Sequence, residues 1–156
     1  ELLERRTRAH HNVRRYALAL SDAPGPVVLH VSGGTSDGSS SLLVPKAIRS
    51  VHPGVTFEGQ VTVEATTLDA WAERHAVGRV DMLWLDLQGA ELRALQGAER
   101  VLAGVRAIHT EVNVVEHYEG AVLYPELCGW LGERGFRAQR QIVGAKAGNV
   151  LFVRAG

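Results

Sequence analysis

The sequence predicts an α/β fold: a mostly parallel sheet that closes with an antiparallel hairpin. Three observations carry this. From residue 67 onward, strand-like and helix-like segments alternate, the pattern of crossover units in a parallel sheet. Residues 80–87 (VDMLWLDL) form a nearly continuous apolar run ending in an acid, as a strand buried on both faces does. The last two strand-like segments, residues 136–143 and 149–154, are joined by the short GAKAG connection and so pair antiparallel.

The elements follow in order. Residues 1–12 (ELLERRTRAHHN) are polar and helix-favouring, and the pattern breaks at Asn12. Residues 13–20 (VRRYALAL) read as a strand, followed by a turn at Asp22-Ala-Pro-Gly25. Residues 27–32 (VVLHVS) read as a second strand, and 57–65 (FEGQVTVEA), which alternate with period two, as its antiparallel partner. Between them, residues 33–56 are expected to be a flexible loop insertion, opening with the Gly/Ser-rich stretch 33–41. Thr67 is placed to N-cap a helix with Asp69 in its first turn and Leu68, Trp71, Ala72 and His75 on one face. A helix is expected over 90–103, with Leu92, Leu95, Ala98 and Leu102 turned inward. Residues 105–112 form the next strand, ending near Glu111, and 124–134 the last helix before Gly135. No internal repeat is visible, and residues 1–156 read as a single partial domain.

Composition excludes several classes. The hydrophobic fraction of 46% and charged fraction of 22% are those of a globular domain, and 156 residues suffice to bury a core. Seventeen basic and seventeen acidic residues cancel, so no global field favours nucleic acid or an anionic membrane. The basic residues Arg5, Arg6, Arg8, Arg14 and Arg15 read as a solvated helix face. Cys128 is the one cysteine, which precludes an internal disulfide and suits a reducing, cytoplasmic compartment; its helical setting suggests a buried structural thiol. No apolar run is long enough to span a membrane. Fifteen arginines against two lysines hint at a GC-rich bacterial genome. The scattered histidines show no metal-ligand spacing, and neither a Gly-x-Ser-x-Gly elbow nor a phosphate loop ending in Gly-Lys-Ser/Thr occurs.

Ligands in such sheets bind beyond the carboxyl ends of the parallel strands. Asp86 and Glu111 end two of them, and Gln88-Gly89-Ala90-Glu91 turns from the first strand into a helix. Gly89 permits close backbone approach, and the first helical N–H groups are free to bind an oxygen. Each residue also has a purely structural reading. Asp86 could cap the following helix, and Glu91 suits the dipole of its first turn. Glu111 between apolar neighbours needs a partner or a chemical role. His109 shares its strand face and could pair with it as a general base, or be an ordinary interior histidine.

The landmarks Thr67-Leu68-Asp69, Asp81-Met-Leu-Trp-Leu-Asp-Leu-Gln-Gly-Ala-Glu91, Leu95-x-Gly97-Ala98 and Ile108-His-Thr-Glu111 resemble the signature of the FkbM family of methyltransferases. The tail is similar too, with Tyr118-x-Gly120, Gly135-Phe136 and Gly148-Asn-x-Leu-Phe152, as are the upstream Ala19-Leu-Ser-Asp22 and the serines 39–41. Trp84 departs from the lysine common at its position. The resemblance implies a class I, Rossmann-like methyltransferase fold and transfer of a methyl group from S-adenosylmethionine to a hydroxyl of a sugar, glycan or secondary metabolite. It implies that Asp86 sits near the reacting methyl. It makes Glu111 and His109 candidates to orient or deprotonate the acceptor, since an alcohol is a poor nucleophile until its proton is removed. It further implies that Asp22 meets the adenine amino group and that Gln88 and Gly89 help bind the cofactor.

The family's glycine-rich loop, of the type Val-Asp-x-Gly-Ala-Asn-x-Gly, does not occur in residues 1–156, and Gly33-Gly34 is no substitute. The chain is therefore expected to be the C-terminal part of the domain, with the ribose-binding acid also upstream unless Glu1 marks its neighbourhood. It is expected to bind S-adenosylmethionine poorly by itself. Strand 80–87 would then have a bare apolar edge, a route to self-association. The expected partner is a small-molecule or glycan acceptor. The competing readings are a non-catalytic remnant serving as a binding or interaction module, and a Rossmann-like hydrolase using Asp86, His109 and Glu111.

Overall fold

The computed structural model describes residues 2–156; Glu1, and with it the suggested vicinity of the ribose-binding acid, lies outside them. The elements are α1 (Leu2–Thr7), β1 (Ala19–Leu20), β2 (Gly25–Gly34), α2 (Ile48–Val51), β3 (Val55–Thr66), α3 (Leu68–Arg74), β4 (Met82–Leu85), α4 (Glu91–Gln96), α5 (Glu99–Leu102), β5 (Ala107–Asn113), α6 (Tyr124–Glu133), β6 (Phe136–Val143) and β7 (Ala147–Arg154).

They form two sheets, ordered β1-β3-β2 and β4-β5-β7-β6. The expected pairing of 27–32 with 57–65 is present, as Val27 opposite Val63 and Leu29 opposite Val61, in longer strands with a bulge after Val31. Of residues 13–20 only Ala19 and Leu20 join a sheet, in parallel to Ala65 and Thr66; residues 13–18, two arginines among them, stay exposed. In the second sheet β4 and β5 run parallel, while β7 pairs antiparallel with both β5 and β6. The architecture is thus mixed α/β rather than mostly parallel. The long hairpin β2–β3 forms its own sheet, and β7 inserts between β5 and β6, so antiparallel ladders predominate.

Strand alternation sets the main core. Leu83 and Leu85 of β4, Ile108 of β5, and Val150 and Phe152 of β7 pack with Leu68, Leu95, Leu102, Leu127 and Leu131 from the helices and with Ala98 between α4 and α5. The opposite face of β4 departs from expectation: Met82 is exposed and Trp84 is 69% accessible. β4 is an edge strand, and helices cover only one of its faces, so an apolar run does not by itself mean two-sided burial. A second, smaller core joins Leu43, Ile48, Ala90, Tyr118 and Ala121, which packs part of the 33–56 segment against the turn after β4. Cys128 is half-buried beside the main core.

The helix expected over 90–103 is two helices broken at Gly97. A Cβ at Gly97 would lie 2.3 Å from the carbonyl oxygen of Ser21, so the chain passes too closely for any side chain. Thr67 caps α3 as expected, its hydroxyl accepting from Ala70 N. Asp69 does more than favour the α3 dipole. Its carboxylate reaches across to accept from Arg100 N and Val101 N, both at 2.8 Å, and so caps α5.

Candidate active site at the turn after β4

The site is built on the turn from β4 into α4. Gln88 and Gly89 both take left-handed backbone angles, with φ of +52° and +96°. Glycine adopts these freely, whereas glutamine is strained by an amount on the order of 1–3 kcal/mol. Four contacts hold Gln88 in place. Its Nε2 donates to Asp86 Oδ1 at 2.5 Å and to Glu111 Oε2 at 2.9 Å. Its Oε1 lies 3.2 Å from the Tyr118 hydroxyl, which also donates to Ser39 O at 2.8 Å, and its carbonyl accepts from Ser41 Oγ at 2.8 Å. Gly89 is packed as well as twisted, because a Cβ would come within 3.0 Å of Ala121 Cβ.

Glu91 fastens the turn from inside. It is 1% accessible, and its Oε1 accepts from Leu87 N at 2.9 Å and Gly89 N at 3.3 Å. Ala90 at the N-cap has no side chain to offer, so the carboxylate folding back from the first helical turn satisfies those donors. Asp86 does not cap α4; its Oδ1 accepts from Gln88 Nε2.

Three carboxyl groups therefore converge on one short turn. Burial pushes Glu111 up to about 7, and the negative charges of Asp86 and Glu91 add to this. Glu91 is raised by burial as well, opposed by the backbone N–H groups that it accepts from. The Tyr118 hydroxyl is raised for the same reasons, burial first and then the carboxylates, so it is a neutral donor at physiological pH. The cluster thus has one acid that titrates near neutrality, bridged by an amide to a second carboxylate.

Asp86 also faces an apolar cleft of about 490 Å³, walled by Tyr16, Leu18, Leu20, Leu29, Val63 and Leu87 among others, with Asp86 as the one charged lining residue among those described. Of the residues singled out from the sequence, Asp86, Gln88, Gly89 and Glu111 come together. His109 does not join them: its ring stacks on Trp84, centroids 4.0 Å apart, and its buried Nδ1 has no hydrogen-bond partner. No hydrogen bond links it to Glu111, because residues i and i+2 on a strand point the same way without meeting. Asp22 accepts from Ser21 Oγ at 2.8 Å, is exposed, and is absent from the cleft walls. Tyr118 and Ser41 had no role assigned from the sequence. They lie 30 and 47 residues from Gln88, beyond the reach of any local pattern.

Comparison with known proteins bears on this arrangement. A family model described as the Methyltransferase FkbM domain matches residues 2–138. A 2-O-methyltransferase, NoeI of Sinorhizobium fredii (strain NBRC 101917 / NGR234), is 34% identical over 113 residues, which are 69% of this chain and 46% of that protein. The chain thus spans about half the length of this curated relative. No solved structure matches the chain.

Proposed function

The chain belongs to the FkbM methyltransferase family, and from that premise we propose that it serves S-adenosylmethionine-dependent O-methylation of a hydroxyl on a sugar, glycan or secondary metabolite. The observation that carries the reading is the carboxylate pair joined to the cleft through Asp86, which lines it: Asp86 and Glu111 bridged by the strained Gln88. The similarity to a 2-O-methyltransferase supports a hydroxyl acceptor.

The residues present suit the donor. The apolar walls accommodate a flat base, and the one carboxylate among them suits a neighbouring cationic centre. Asp86 would hold it from the cleft wall, positioned by the turn at Gln88 and Gly89 behind it, and Asp22, like those two, would act only from outside the cleft walls. When bound, S-adenosylmethionine supplies an electrophilic methyl group on a sulfonium. Glu111 supplies the base. Gln88 occupies its Oε2, leaving Oε1 to take the acceptor's hydroxyl proton, and a carboxyl titrating near 7 is matched to that task. His109, two residues before Glu111 on the same face of β5 and stacked on Trp84, would touch the acceptor only where it extends along that face.

The test is methyl transfer from labelled donor, at millimolar concentration, to a panel of sugars and oligosaccharides. Alkali-stable label in the acceptor is expected, as an ether requires, with Asp86→Ala at least 100-fold slower and still folded by circular dichroism. Alkali-labile label, or near-normal turnover in Asp86→Ala, would overturn the reading.

A further inference from the structure

A second cleft, of about 440 Å³, opens at the same end of the central sheet; Val51, His52, His117, Gly144, Lys146 and Ala147 are among its walls. Three distant segments build it: the end of α2 with the residue after it, the loop after β5, and the turn between β6 and β7. Their placement is fixed by backbone bonds. Lys46 N and Ile48 N donate to His117 O at 2.9 and 3.1 Å, and Val114 N and Val115 N donate to Lys146 O at 2.8 and 3.2 Å. Glu111 lies opposite Asn149 and Asn113 opposite Ala147, so the cleft begins two residues beyond Glu111, about 7 Å of strand.

His117 is the unexplained group. It is 4% accessible, and its Nε2 is buried with no hydrogen-bond partner. A buried polar group left unpaired costs about 1–3 kcal/mol, so native structures keep one where something else completes it. The function derived above does not use it. Its neighbour Tyr118 faces the other way, toward Gln88, so consecutive residues of one loop serve two adjoining sites.

We propose that this cleft binds an oxyanion (phosphate, sulfate or carboxylate) carried by the methyl acceptor, with His52, His117 and Lys146 as its donors. The link to the acceptor rests on the methyltransferase reading; the anion site rests on geometry. Among the described residues all the ionisable walls are nitrogen bases, and no carboxylate is among them. Burial lowers the His117 pKa first, and the positive charges of His52 and Lys146 lower it further, as expected where cations face one another without a counterion. The nearest acid in sequence, Glu116, is already engaged by Lys46 Nζ and by Gly120 N at 2.8 Å, while Glu119 is exposed and acts on Lys46. A metal is the poorer occupant. Two imidazoles without a thiol or carboxylate fall short of a closed ligand set, and among the described residues no group of three or more such ligands occurs.

The test uses the protein and simple anions. Imidazole NMR resonances are followed while inorganic phosphate, sulfate or acetate is added at constant ionic strength in chloride. Saturable shifts of the His52 and His117 resonances with at least one anion are expected, together with a rise of about half a unit or more in the His117 imidazole pKa. The tightest of the three identifies the substituent. Lys146→Ala and His52→Ala, both at exposed positions, should weaken binding at least five-fold without moving the unfolding midpoint. Shifts that follow only ionic strength, or binding unchanged by Lys146→Ala, would overturn the proposal. Because the titration measures no turnover, its failure and a failure of the methyltransferase reading are separately visible.

Discussion

Replacing Glu111 by glutamine should stabilise the protein, and by an amount that grows with pH. The side chain keeps its shape, and Gln88 Nε2 can still donate to the new amide oxygen. What changes is the charge. Glu111 titrates at about 7 rather than near 4.5, because burial and the neighbouring carboxylates disfavour its ionised form. A raised carboxyl binds its proton more tightly in the folded chain than in the unfolded one. Its contribution to stability is therefore complete below about 4.5 and is lost as the pH rises through 7. The full gap corresponds to roughly 3 kcal/mol. Glu111 is only half-buried, and solvent screening brings the expected value to about 1–2 kcal/mol. For a chain of this length that is a rise of about 3–6 °C in the unfolding midpoint at pH 8. Urea and thermal unfolding of both proteins at pH 4.5, 6, 7 and 8 make the measurement, and the difference between them cancels every other titrating group. Equal stability at pH 4.5 and a gap opening between 5 and 8 are expected. A gap that is constant over this range, or that favours the wild type at pH 8, would refute the assignment of the neutral-range titration to Glu111.

Two further outcomes test the frame that holds the site. Asp69→Ala removes both side-chain acceptors at the start of α5 and should cost about 1–2 kcal/mol in urea unfolding; a change below about 0.3 kcal/mol would mean that Arg100 N and Val101 N find water instead. Gly97→Ala places a methyl 2.3 Å from Ser21 O and 3.0 Å from Thr67 Cβ. It should destabilise by about 1–3 kcal/mol, whereas a neutral or stabilising effect would show that the segment after β1 does not pass there.

Much of the site was legible as local chemistry. The run from Asp81 to Glu91 announces a strand, a turn that needs glycine, and a helix start rich in acid, and the structure has β4, the left-handed pair at Gln88 and Gly89, and α4 in those places. The alternation in 57–65 announced its pairing with 27–32. At Gly97 and Trp84, where the structure departs from the local pattern, the cause is a neighbour. Gly97 interrupts a good helical pattern because Ser21 passes beside it, and Trp84 is exposed because β4 lies at a sheet edge.

The sequence by itself determined the order of the strands, the family, and the carboxylates offered at the strand ends, since period, turn chemistry and motif spacing are properties of residues within a few positions of one another. Only the tertiary structure decided which of them meet. It brought Tyr118 and Ser41 to Gln88, left His109 stacked on Trp84 and apart from Glu111, and gathered His52, His117 and Lys146 from three loops into one cleft. Those contacts depend on strand order and on which face of each sheet is covered, and both are set by long-range packing that no local pattern encodes.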